Sequence, residues 1–286
     1  MKALLAILPL LLALVSGCIF PGTPGGNGMT ILIFEPSFPT VYSGESVDFM
    51  LNIQNQGTVD ATDVKSRVIG LDTWDNEGGT CEEWERISPA VPDIGAPGET
   101  KNCRWTYAAP DVPQGLSTKY SPTIRLYYGY RTSFVKSVFF ASSKELRTMM
   151  DRGQALPTQT TSQTTGPIQI DIKTEAPVRF WESSVEFPLA ITVSNVGGGV
   201  VCPSQSDCES GQNTNMLSLD IESGNDISIT DCETDIELWQ GKTNTLVCQA
   251  TFSGLSDVDT AQRTISIDAD YGYYTDKTTQ VTVASR

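Results

Sequence analysis

Three short motifs occur twice in this chain, in the same order and with nearly equal spacing. Asn55-Gln56-Gly57 in the first half has a counterpart in Asn195-Val196-Gly197 in the second. Pro97-Gly98-Glu99-Thr100, ahead of Cys103, answers to Gly241-Lys242-Thr243, ahead of Cys248. Tyr128-Gly129-Tyr130 matches Tyr271-Gly272-Tyr273. A chain that repeats its landmarks in this way is constrained to fold as two copies of one unit, and 286 residues suit two units of ordinary domain size.

The unit itself reads as β. Runs such as Val47-Phe49-Leu51-Ile53 and Ile124-Leu126-Tyr128-Tyr130 alternate apolar and polar positions, the period of a half-buried strand. No long stripe of helical period interrupts them. The pattern predicts an all-β chain with two tandem β-sandwiches, over residues 29–141 and 167–286. Asn-x-Gly reads as a hairpin turn, because both residues tolerate positive φ. The tyrosines of the repeated motif keep the phase of Ile124/Leu126 and Ile267/Ala269, so they are expected to face the core. Residues 142–166 read as a short helix followed by a linker. Ser142-Ser143-Lys144-Glu145 resembles a capping box, and Leu146, Met149 and Met150 follow at helical spacing, predicting a helix over about 143–152 packed on the first sandwich. Pro157 to Gly166 is polar, uncharged and rich in threonine, the composition of an open linker.

The N-terminus carries an address. Lys2 precedes an apolar run from Ala3 to Leu14, and Val15-Ser16-Gly17-Cys18 closes it, as in a prokaryotic lipoprotein signal. Residues 1–17 are therefore expected to be a signal peptide, with Cys18 lipidated as the new N-terminus. Residues 18–28 are rich in glycine and proline and read as a flexible tether to the first sandwich. The remaining six cysteines divide evenly between the halves, as disulfides do in an exported chain. If Cys103 and Cys248 are equivalent in the repeat, the pairs are Cys81–Cys103 and Cys232–Cys248. Cys202–Cys208 is then left to staple an insertion, 201–215, that the first half lacks.

Gly44-Glu45-Ser46-Val47, Ile53 to Ala61 with its Asn55-Gln56-Gly57, and Pro97-Gly98-Glu99-Thr100 resemble the CARDB-type and related immunoglobulin-like domains of prokaryotic surface proteins. The second half matches less closely: Gly241-Lys242-Thr243-Asn244 stands where the PGET element would be. The resemblance implies seven-stranded immunoglobulin-like sandwiches used as adhesion or spacer modules.

Charge and residue usage narrow the chemistry. A formal net charge of −15 disfavours nucleic acid, whose binding depends on Lys and Arg at phosphates. The absence of histidine removes Ser-His-Asp and Cys-His catalysis and His-ligated metals. Asp72 to Gly79 gathers oxygen ligands in one loop but lacks the EF-hand spacing, so calcium is at most a structural addition and no cofactor is expected. Asp257 with Asp259, and Asp268 with Asp270, would share strand faces, where exposed carboxylates are ordinarily just solvated. The expected function is that of a non-catalytic lipoprotein at the outer face of the cell membrane or envelope. It would act in adhesion, spacing or envelope assembly, held to the membrane by its lipid and contacting other surface proteins or glycans. The alternative is glycan or peptide binding through the stapled 201–215 loop, with Gln205, Asp207 and Asn213, and with Trp84 as the exposed aromatic.

Overall fold

The computed structural model describes residues 28–255 and 258–286, so the signal segment, Cys18 and Asp257 lie outside the described residues. The first half forms β1 (Met29–Pro36), β2 (Thr40–Tyr42), β3 (Ser46–Asn55), β4 (Ala61–Ile69) and β5 (Asp75–Gly79). It continues with β6 (Trp84–Ile87), β7 (Thr100–Ala108), β8 (Ser117–Tyr120) and the long β9 (Thr123–Ser142). Helix α1 (Ser143–Asp151) and β10 (Thr161–Gln163) lead into the second half. There follow β11 (Ile168–Lys173), β12 (Val178–Phe180), β13 (Ser184–Asn195), β14 (Val200–Cys202), α2 (Gln205–Ser210), β15 (Met216–Ser218) and β16 (Asp220–Ser223). The chain ends with β17 (Ile227–Thr230), β18 (Asp235–Glu237), β19 (Thr243–Ser253), β20 (Thr260–Thr278) and β21 (Val281–Ala284).

The fold is all-β, with two sandwich lobes. One four-stranded sheet has the order β1-β3-β7-β5, the other β11-β13-β19-β17. These are the A-B-E-D layers of two immunoglobulin-like sandwiches. Both pack on the same face of one shared eight-stranded sheet, whose main path is β14-β20-β9-β4-β6. Alternation along β9 explains the shared face. Ile124, Leu126, Tyr128 and Tyr130 are buried in the first lobe, and Phe134, Val138 and Phe140, in the same phase, are buried in the second. A single hydrophobic core runs through both lobes.

The two copies of Tyr-Gly-Tyr lie against each other. Tyr128 faces Tyr273, Gly129 faces Gly272 and Tyr130 faces Tyr271 across the β9–β20 ladder. An approximate twofold axis therefore passes through the middle of the shared sheet, relating one half of the chain to the other. All four tyrosines are buried, and rings 5.5–6.5 Å apart connect them across the axis.

Three readings of the sequence change at this level. The Thr-rich segment is not an open linker: Thr161–Gln163 pairs antiparallel with Lys136–Phe134 of β9. Thr58 and Thr165 exchange further bonds, from the Thr58 amide to the Thr165 carbonyl and from the Thr165 amide to the Thr58 hydroxyl. Beyond the end of β4 one edge of β9 lies open, and β-branched threonine suits the strand that covers it. Helix α1 is capped by Ser142 as expected, but it starts from the second-lobe end of β9, where Ser143 Oγ donates to the Phe180 carbonyl, and it buries Leu146. The Asn-x-Gly motifs, finally, are not positive-φ turns, since none of Asn55, Gly57, Asn195 and Gly197 has positive φ.

Their requirement is one of packing. Asn55 Nδ2 donates to the carbonyls of Val59 (2.8 Å) and Ile87 (3.0 Å), while its Oδ1 accepts from Gly57 N. Asn195 repeats the network with Gly199, Gly241 and Gly197. Each glycine lies under a tyrosine. A Cβ on Gly57 would collide with the Tyr130 hydroxyl, and one on Gly197 would lie 2.7 Å from that of Tyr273.

Candidate functional site

The insertion of the second half leaves the sheet at Cys202, opposite Gly272, and returns at Asp220, opposite Asp268. Its first residues lie directly on β20, the neighbouring strand. A Cβ at Gly272 would overlap the Ser204 carbonyl, so the glycine of the second Tyr-Gly-Tyr motif is what lets the insertion settle there. Helix α2 then crosses toward the first lobe. Cys202 and Cys208 are buried with Tyr127, and Tyr274 packs against them. Gln205 Nε2 donates to the Asp63 carbonyl at 2.5 Å, and Glu209 pairs with Lys65 at 3.3 Å. The insertion thus belongs to the second half in sequence and fastens onto the first half in space.

Beside it, at the twofold axis, an open cleft of about 450 Å³ is lined by Asp60, Thr62, Asp63, Arg131, Gln205 and Asp270. Arg131 is half-exposed and lies 3.3 Å from Asp268 and 3.7 Å from Asp270. Ser133 donates its hydroxyl to Asp268, and that bond, with Arg131, holds the Asp268 carboxyl below its ordinary range. Asp207 is likewise lowered, first by the Ser204 hydroxyl and then by the Asn213 amide. The arrangement offers one cation, several carboxylates and an amide around an open hollow. These groups can hold a polar ligand by hydrogen bonds and charge. Among the described residues no three Cys, Asp or Glu side chains converge as a metal site would require.

The residues singled out in the sequence fall in different places. Sulfurs are joined as Cys81–Cys103, Cys202–Cys208 and Cys232–Cys248, with Cα separations of 4.8, 5.5 and 4.6 Å. Three such bonds fit an oxidising, extracytoplasmic compartment. Gln205 lines the cleft. Asp207 and Asn213 bond to each other within the insertion (3.0 Å), so their polar groups are engaged in shaping it. Trp84 stands apart, paired opposite Val64 on β6 and half-buried against the core, on the opposite sheet face from the insertion. Asp268 and Asp270 do share a face, with Arg131 between them. In the 72–79 loop Trp74 is buried edge-on to Tyr120, and Asp75–Gly79 is an exposed edge strand. The indoles presented to solvent are Trp181 and Trp239, both on the second lobe. Arg131, Asp60 and Asp63 were not singled out. Arg131 and Asp270 each adjoin a Tyr-Gly-Tyr motif, so pairing the two motifs antiparallel would have brought them together.

No family model matches the chain, and no curated protein matches it either. Among solved structures it is similar to the secreted serine protease VesC from Vibrio cholerae, at 7% identity and TM-score 0.24. That match covers 90% of this chain and 51% of VesC, so the chain spans about half the length of that protein. A protein of unknown function from Porphyromonas gingivalis W83 matches at 6% identity and TM-score 0.21, over 79% of this chain and 83% of the other. The collagen adhesin CNA from S. aureus matches at 8% identity and TM-score 0.16, over 91% and 94%. Likenesses at this level supply no argument about activity.

Proposed function

We propose that this chain is a non-catalytic surface lipoprotein of the CARDB-like kind, serving adhesion, spacing or envelope assembly. The observation that carries the reading is the β9–β20 ladder, which makes the two lobes one stiff body. Such a body transmits position and load, which is what a spacer or adhesive module does. Lipid on Cys18 would hold it to the outer face of the membrane through residues 19–27. The ten steps from Cys18 to Gly28 reach at most about 35 Å when extended, and Met29 begins at the twofold axis, opposite Asn55 beside the tyrosines. The tether therefore meets the body at its waist, in place of the one-ended attachment that two sandwiches in tandem suggest.

The test is crosslinking on living cells, with peptide mapping of both partners. Links from many faces of the two lobes to envelope proteins are the expected result; no crosslinks to any surface component would overturn the reading. Cys18→Ala should change both detergent-phase partitioning and intact mass; if neither changes, the lipid is refuted. A second reading, capture of a glycan or peptide, has the waist cleft and Gln205 in its favour. It predicts one dominant crosslinked partner whose yield falls in Arg131→Ala.

A further inference from the structure

In an immunoglobulin-type sandwich strand F turns back through a hairpin to pair with its own strand G. Here the turn is missing from both halves. β9 begins as strand F of the first lobe, between β4 and β20, and runs straight past Tyr130 into the second lobe. β20 does the reverse. It pairs along its whole length, from Thr260 opposite Ala141 to Thr278 opposite Thr123, and β21 continues the ladder from Val281 opposite Tyr120. The remaining strand of each sandwich bears out the exchange. β2 of the first lobe runs parallel to β21, and β12 of the second runs parallel to the end of β9.

The exchanged strands fill the cores they enter. Phe140, from the first half of the chain, lies 4.4 Å from Phe252 and 5.3 Å from Phe187 in ring-centroid distance. Val281 and Val283, from the second half, are buried at 1% and 0% exposure in the first lobe. The covalent connection is slight by comparison: Gln154, Ala155, Pro157 and Thr158 between α1 and β10 are exposed.

We propose that the chain is a strand-exchanged dimer fused into one polypeptide. Each lobe is an acceptor whose partner is the long strand of the other copy, and that exchange, not the connection near residue 156, keeps the lobes together. A protease cutting the exposed connection would leave the body whole. Retention of the second lobe at the membrane follows if the lipid proposed above is present; the exchange itself does not depend on it.

The experiment places a specific protease site between Ala155 and Pro157 in the full chain. After cleavage the two pieces should co-elute at the uncut position and separate only in denaturant. Separation into two folded monomers under native conditions would overturn the proposal, because it would mean that each half closes its own hairpin. A second variant reads the register directly should the cut chain unfold. Thr123 and Thr278 touch across the ladder at 2.8 Å, so T123C/T278C should form a disulfide within one molecule, found by non-reducing peptide mapping. Its absence from correctly folded monomer, or its formation only between molecules, would refute the exchange.

Discussion

Asn55 and Asn195 each satisfy three backbone groups with one side chain, and both are almost entirely removed from solvent. Leaving such groups without partners costs about 1–3 kcal/mol each. Asn55→Ala should therefore lower stability by about 2–4 kcal/mol, measured by urea unfolding, with the midpoint shifted and the slope retained. Gly57→Ala should also destabilise, and Tyr130→Phe in the same chain should recover part of the loss, since the hydroxyl is the obstacle. The sequence revealed that Asn-x-Gly recurs but not why, because turn chemistry and buried packing select the same two residues. The tyrosines were easier to read, their strand phase alone placing them inward. Burial pushes the hydroxyls of Tyr130 and Tyr273 up to about 12, and those of Tyr128 and Tyr271 well above 10. The folded state keeps protons that the unfolded chain releases near pH 10. The stability they contribute is complete below pH 10 and is lost as pH rises through about 12. Ionisation of these four tyrosines should then come together with loss of β structure, whereas their ionisation while the body stays folded would contradict the burial.

At the scale of the element, composition and context part company. Strand β3 and the first part of β9 were visible in the sequence because alternation is a local signal, whereas β5, with no apolar residue, read as a loop. β10 was not visible either, because nothing in a Thr-rich stretch tells a linker from a strand until an open edge lies beside it. The 201–215 insertion shows the same limit: its disulfide could be placed from the cysteine count, but its role as a fastener depends on Asp63 and Lys65 of the other half. Replacing Cys202 and Cys208 together by Ala opens a loop of only 6 residues in separation, worth roughly 2 kcal/mol on the chain-entropy account. Hydrogen exchange should rise in α2 and the neighbouring part of β4 while β3, β7, β13 and β19 stay protected. Exchange rising throughout both lobes would show that the staple supports the whole body.

The duplication was legible for the whole molecule, and the union of the copies was not. Repeated motifs look the same whether each copy folds on itself or trades strands with the other, and only the missing turn after Tyr130 distinguishes the two. Because one core spans both lobes, thermal unfolding should be a single transition with calorimetric and van't Hoff enthalpies in agreement. Two separable transitions would indicate independent sandwiches. The point where the chain enters the body has a consequence of its own. Met29 sits at the twofold axis, so the lipid anchor proposed above would hold the molecule as a pivot holds a beam. A pull on one tip turns the beam about that point and swings the opposite tip the other way. Loads on both tips would then balance, and only their sum would reach the anchor.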